Sequence, residues 1–199
     1  MPRRDADHMQ VQRERILRAT IDCISDMGIE RTSIVEIRKR AGLSAGALYT
    51  HFTSKDEIVA AALRFGGAED AGDLPDDWLT LKADLASTQD GDFDFTTLAR
   101  TQLQVIASSV RPGALHDMLK PILDRSLDTV TRHLAQMERS GQIKLRLSPA
   151  QTARAIAALK DGLAWIALSR DRPLAEIEDD LMAALDCLIE PAPKALEDR

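Results

Sequence analysis

Residues 32–55 read T-S-I-V-E-I-R-K-R-A-G-L-S-A-G-A-L-Y-T-H-F-T-S-K. Their own signals place short helices in them. Ser33 stands three residues before Glu36, the spacing of a capping box, and opens a helix through Ile37 to Ala41. Gly42 breaks it where a tight turn needs backbone freedom. Ser44 is the N-cap of a second short helix through Ala47 and Leu48 to about Thr50. Ser54 and Glu57 form another capping box and open a helix carrying Ile58, Ala61, Ala62 and Phe65. Helix, glycine turn, helix is the layout of a helix-turn-helix, whose second helix enters the DNA major groove. Ile34, Ile37, Ala41, Leu43, Leu48 and Phe52 can pack the unit inward. Ser44, Ala45, Gly46, Tyr49, Thr50 and His51 remain outside. Most of these are small or polar, so the helix backbone can come close to DNA.

Outward from this stretch nearly everything reads as helix, and the fold class is all-α with about nine helices. Upstream, Ile16, Leu17, Thr20, Ile21, Ile24 and Met27 step by three and four until Gly28. Downstream, Gly66-Gly67 ends a helix, and residues 67–73 form a small acidic loop. This loop divides a head, residues 1–66, from a body, residues 67–199. In the body an amphipathic segment carries Trp78, Leu81 and Leu85, and Thr88–Asp92 is a loop. Helices follow over Phe95–Val110 and Leu115–Arg139, the second with a restart or kink at Pro121. Ile143–Leu147 could be extended but has no partner strand in view and reads as a connector. Ser148-Pro149-Ala150-Gln151 opens a helix to about Ser169, and Pro173 starts the last one, with a frayed tail from Pro191.

Composition narrows the function. The chain has 199 residues, of which 44% are hydrophobic, enough for a substantial core. Its net charge of −6 is unevenly spread. Residues 1–66 hold 11 basic and 9 acidic side chains, a net of +2, whereas the rest hold 15 and 23, a net of −8. An acidic body is repelled by DNA and presents the positive head to it. No apolar stretch has membrane-spanning length and the N-terminus lacks a signal-peptide core, so a cytoplasmic protein is expected. Cys23 and Cys187 sit in apolar helical patterns and are expected to be reduced core thiols. The histidines at 8, 51, 116 and 133 match no metal-ligand spacing, and no phosphate loop or nucleophile elbow is present. Neither an enzyme nor a cofactor or metal site is expected.

The run A-G-L-S-A-G-A-L-Y-T-H-F-T-S-K at 41–55 closely resembles the signature of the tetracycline-repressor (TetR) family, and T-S-I-V-E-I resembles that family's entry into its second helix. The match covers roughly residues 11–66. The resemblance implies a regulator that binds double-stranded DNA. Ser44, Ala45, Ala47 and Thr50 would face the groove, with the Thr50 hydroxyl and methyl available to base edges. Tyr49 and His51 would reach phosphates, and Lys55 would pair with one. Thr32 and Ser33 would bond the DNA backbone through hydroxyl or N–H groups. Position 45 is often basic in the family and is Ala here, which shifts weight to Thr50 and to groove shape.

The body would supply the dimer and the switch. Two heads match a palindromic operator, and the resemblance places the homodimer interface on the last two helices: Ile156, Leu159, Leu163 and Ile166, then Leu181, Leu185 and Leu188. Segment 74–140 would hold a small, largely apolar effector, with Trp78, Phe95 and Met118 as apolar contacts and Gln102 and His116 as polar anchors. A repressor released by its ligand is the expected mode of action.

Overall fold

The apolar stripe of the first helix explains its length and its partners. In the computed structural model, which describes residues 2–68, 74–87 and 93–192, α1 spans Pro2–Arg31. Ile16, Leu17, Ile21 and Ile24 are fully buried on it, and Gly28 interrupts the helix with φ of 80°. Beyond it come α2 (Ile34–Ala41), α3 (Ala45–Tyr49) and α4 (Lys55–Leu63), the last continued by a π-helical turn at Arg64–Ala68. The other helices are α5 (Trp78–Ala86), α6 (Phe95–Ser109), α7 (Ala114–Arg139), α8 (Pro149–Ser169) and α9 (Leu174–Leu188). Nine α-helices among the described residues match the all-α expectation. Residues 69–73 of the expected boundary loop, the whole loop at 88–92 and the tail beyond 192 lie outside the described residues.

The chain forms two units. The first joins Met1–Glu69 to Arg100–Ile122, the second Asp70–Ala99 to Leu123–Arg199. A boundary after residue 66 would leave everything later to the body, yet residues 100–122 group with the head. The Thr101 hydroxyl donates to the Ile21 carbonyl at 3.2 Å, and the Gln104 side chain reaches Gly28. Periodicity gives a helix an apolar face without saying which neighbour that face meets.

Within the first unit α1 packs on α2 and α4, and Ile37, Leu48, Phe52 and Ile58 close the core around its stripe. The turn between α2 and α3 depends on Gly42, which sits in the left-handed region at φ 64°. There the Leu43 N–H returns to the Arg38 carbonyl at 3.1 Å, so α2 ends in a Schellman motif. A Cβ on Gly42 would lie 3.1 Å from Arg15 Nη2, and that nitrogen donates to the Ala41 carbonyl at 2.7 Å. Gly42→Ala is therefore expected to lower stability by about 1–2 kcal/mol, from left-handed strain. Urea unfolding followed by circular dichroism would measure it. A midpoint equal to that of the parent chain would refute this account of the turn.

The second unit is built around Trp78, 1% exposed, with Leu81, Leu134, Met137, Ile156, Leu181 and Leu185. Asp77 caps α5 by accepting the Thr80 N–H at 2.9 Å. Lys82 of α5 pairs with Asp186 of α9 at 2.5 Å, and the His133 ring donates to the Pro75 carbonyl at 2.7 Å. Ser148 and Gln151 form the full reciprocal capping box at the start of α8.

Two expectations are corrected here. Ile143–Leu145 is a strand, paired antiparallel with Ile189–Pro191 in the register Ile143 to Pro191. Its partner lies 46 residues along, directly after the last helix and reaching into Pro191, where the sequence reads as a fraying tail. Ile143 and Ile189 both face the core, and that long-range burial is invisible locally. The helix through Pro121 also continues without a restart over Ala114–Arg139. Buried Leu119 and Ile122 on either side hold it in place despite the missing N–H.

Candidate nucleic-acid interface

The interface grows from three serines. The Oγ atoms of Ser33, Ser44 and Ser54 accept the N–H of Glu36, Ala47 and Glu57 at 3.2, 3.2 and 3.1 Å. Each stops one otherwise unpaired helix donor and fixes where α2, α3 and α4 begin. The glutamate halves of the expected boxes differ. Glu57 reaches back one residue further and accepts both the N–H and the hydroxyl of Thr53 at 2.7 Å. Those bonds hold its carboxyl below the usual range and fix the chain leaving the recognition helix.

On α3 the buried side is set by Leu48, with Phe52 beyond it. At about 100° per residue, Gly46 and Thr50 fall opposite Leu48, on the centre of the outer face. Ser44, Ala45, Gly46, Tyr49 and Thr50 are exposed, and Ala47 is half-buried. A surface of alanine and glycine lets the backbone itself approach a partner. Nothing lies within 4 Å of where a Gly46 Cβ would stand. The Thr50 hydroxyl donates to the Gly46 carbonyl at 2.9 Å.

Several expected contacts are placed differently. Thr32 is buried, and its N–H and hydroxyl both go to the Gly28 carbonyl, at 3.1 and 2.8 Å. It closes α1 and has nothing left to offer a phosphate. Ser33 is exposed and retains its hydroxyl proton. Lys55 is half-buried and donates to the Ile29 carbonyl at 2.5 Å. Its charge thus caps the end of α1, and two of its three hydrogens remain.

The basic run 38–40 is also largely used internally. Arg38 donates to the Leu43 carbonyl at 3.3 Å, and Arg40 pairs with Asp26 at 2.7 Å, while Lys39 is exposed. Arg13 stacks its guanidinium 5.4 Å from the centre of the Phe52 ring. Arg13 and Arg15 thus tie α1 to the recognition unit. Nothing in the local sequence distinguishes these two from other surface arginines.

His51 follows α3 and is half-buried, with Nε2 3.4 Å from Gln12 Oε1. Burial first, and then the charge of Arg13, lowers its pKa below 6.5. The imidazole is therefore neutral at pH 7, so it meets a phosphate as a hydrogen-bonding group and not as a cation. A depressed folded value means that the stability His51 contributes is complete above pH 6.5 and is lost as pH falls through the folded pKa. Arg13→Ala is expected to move the His51 midpoint upward in an NMR titration. An unmoved midpoint would exclude Arg13 as a cause.

In the second unit, Ile156, Leu181 and Leu185, expected between subunits, are instead buried in the unit's own core. Leu159, Leu163 and Leu188 pack against that core only in part, and Ile166 is exposed. An open apolar groove of about 560 Å³ is lined by Ala155, Ala158, Leu159, Ala184, Cys187 and Leu188. Trp165, 55% exposed, stands on the same helix. Cys187 is exposed, contrary to the expected core thiol, whereas Cys23 is buried and its thiol is pushed up by that burial. Because α8 is apolar on more than one side, periodicity could not choose its inner face.

The five effector candidates fall in both units. Trp78 fills the core, and Phe95 in the same unit is half-buried. Gln102 and His116 of the first unit are half-buried, and Met118 there is exposed. The His116 ring donates to the Ser109 carbonyl through a short bond. None of the five lines the apolar groove, nor a smaller cleft of about 240 Å³ at Leu163–Asp180 rimmed by Arg170, Arg172, Glu176 and Asp180. Among the described residues, no group of three or more His, Cys, Asp or Glu could hold a metal ion. No helix there is long and apolar enough to cross a membrane.

Comparison with known proteins agrees with this geometry. Residues 16–62 match the family model described as bacterial regulatory proteins, tetR family. An HTH-type transcriptional repressor of Mycobacterium tuberculosis is 27% identical over 168 residues, covering 69% of this chain and 90% of that protein. The HTH-type transcriptional regulator BetI of Stenotrophomonas maltophilia is 28% identical over 180 residues, covering 83% and 84%. The solved TetR regulator TylP of Streptomyces fradiae superposes with a TM-score of 0.71 at 23% identity, over 94% of this chain and 90% of that one. A regulator from Saccharomonospora viridis, solved in complex with choline, superposes with a TM-score of 0.69 at 22% identity, over 89% and 97%. Residues 16–62 thus carry the helix-turn-helix region of the tetR family of bacterial regulatory proteins, and over most of its length the chain is similar to transcriptional regulators.

Proposed function

We propose that the chain is a ligand-responsive repressor that holds a palindromic operator as a homodimer and releases it when a small effector binds. The observation that carries this reading is the bare outer face of α3, centred on Gly46 and Thr50 and backed by buried Leu48. One such helix reads few base pairs. Two, held about 34–36 Å apart, read a twofold site. Ser44, Ala45, Ala47 and Thr50 face the bases in this reading, with Ser33, Tyr49, His51 and Lys55 toward phosphates.

The second copy docks on the outer face of α8 and α9. Alanines 155, 158 and 184 let helices approach closely there, and Leu159, Leu163, Ile166 and Leu188 supply apolar area. An effector that prefers a body with a different head separation releases DNA by its differential affinity. The fold neighbour from S. viridis holds choline, which supports a small molecule as effector.

Ala158→Arg tests the dimer, because Ala158 is exposed in the protomer and the substitution leaves its core intact. Burying an unpaired charge costs about 3–5 kcal/mol. The solution mass by light scattering is expected to halve, and operator affinity to fall with it. A parent chain that is already monomeric, or a variant that stays dimeric, would defeat the docking. Affinity for operator that no small molecule alters at fixed salt would defeat the switch.

A further inference from the structure

We propose that Thr50 reads one base of each half-site as a hydrogen-bond acceptor, and so selects a base that offers an exocyclic amine in the major groove, adenine or cytosine. The inference rests on the reading of α3 as the recognition helix and adds the direction of the bond.

A hydroxyl has one proton to give and lone pairs to receive with. The proton of Thr50 is already spent on the Gly46 carbonyl at 2.9 Å. This is the bond that a threonine makes one turn back along a helix, and it holds the stiff side chain in one of its two helical rotamers. What Oγ1 presents outward is therefore lone-pair density.

The site around it leaves that oxygen in command. Thr50 is exposed and lies about 200° around the helix from buried Leu48, at ~100° per residue. Gly46 occupies the same ridge one turn earlier, and the space where its side chain would stand is empty. Ala45 and Ala47 on its flanks carry no polar atoms. No neighbouring side chain of α3 on this ridge can supply the donor that Thr50 lacks.

In the major groove, adenine N6 and cytosine N4 offer a donor, whereas guanine O6 and N7 and thymine O4 offer only acceptors. Oγ1 bonds the first pair and faces the second lone pair to lone pair. The loss of one hydrogen bond, with an oxygen left unpaired, corresponds to discrimination of about tenfold.

Selection of bound duplexes from random DNA with the full chain tests this, run in parallel for the parent, Thr50→Val and Thr50→Ser. Val keeps the shape and removes the oxygen, and Ser keeps the oxygen. The parent and Thr50→Ser are expected to enrich adenine or cytosine about tenfold at one position per half-site. Thr50→Val loses the preference at that position alone, with an unchanged melting curve. Because every base pair carries one such amine, the amine itself is then removed. At the pair that Thr50→Val affects, replacing adenine by purine or cytosine by 2-pyrimidinone is expected to weaken the parent about tenfold and to leave Thr50→Val unmoved. A parent that binds the amine-free duplex as tightly overturns the assignment while leaving DNA recognition intact. So does a Thr50→Val selection identical to the parent's. A parent chain that enriches no sequence overturns both this inference and the reading beneath it.

Discussion

Gly46→Glu is expected to cost the chain about 100-fold or more in DNA affinity without lowering its melting temperature. The two halves of that result come from one position. Gly46 is exposed at the centre of the outer face of α3, and no atom lies within 4 Å of an added Cβ. Nothing inside the protein resists a side chain there. Replacing glycine within a helix removes a penalty of about 0.5–1 kcal/mol, so stability is unchanged or slightly higher. Toward DNA the consequence is opposite. A glutamate fills the space through which the backbone approaches the groove, and it brings an anion among phosphates. A like charge forced into a charged interface costs several kcal/mol. Binding titrations at several salt concentrations, beside thermal unfolding of the same variant, separate the two halves. Affinity preserved within a few-fold would show that this face of α3 does not meet DNA. A fallen melting temperature would show that the position is structural.

Trp78→Ala is expected to be the most destabilising single truncation in the second unit, by about 3–5 kcal/mol. Trp78 is 1% exposed at the start of α5, and it packs in the cluster that joins α5 to α7, α8, α9 and the two-stranded sheet. Removing an indole there leaves a cavity that the neighbouring helices close only in part. For a chain of this size the melting temperature falls by roughly 6–20 °C. Fluorescence supplies a second reading, because the chain has two tryptophans and the other, Trp165, is 55% exposed in the protomer. The variant reports Trp165 alone. A red emission maximum in dilute solution that shifts blue as concentration rises would follow a second copy covering α8. A loss of stability under about 1 kcal/mol would mean that the core tolerates the void, and would place Trp78 nearer to a ligand than to the core.

The two experiments differ in what the sequence could foresee. The recognition unit is legible because its signals are local. Each serine lies within three residues of the N–H it caps, and Gly42 meets its strain within its own turn. The body is not legible in the same way. Trp78 reads as core or as a ligand contact, since either use asks only for a large apolar ring. On α8, Ile156 and Ile166 belong to one apolar helix, yet Ile156 is buried and Ile166 is 41% exposed. Thr32 shows the same limit inside the head. A threonine at the entry to α2 suits a phosphate contact until the Gly28 carbonyl is found 2.8 Å from its hydroxyl.

By itself the sequence determined the all-α class, the position of the helix-turn-helix and the ends of its helices, because caps, turns and amphipathic periods act over a few residues. Only the tertiary structure decided which polar groups were already satisfied. Arg15 on Ala41 and the hydroxyl of Thr32 on Gly28 are spent in holding the head together, and Lys55 gives one of its three hydrogens to Ile29. It also decided which faces of α8 and α9 remained open, and it paired Ile143–Leu145 with Ile189–Pro191. The physical reason is the same throughout: a side chain's periodicity says that it will be buried or bonded, whereas the identity of its partner depends on segments brought together from far along the chain.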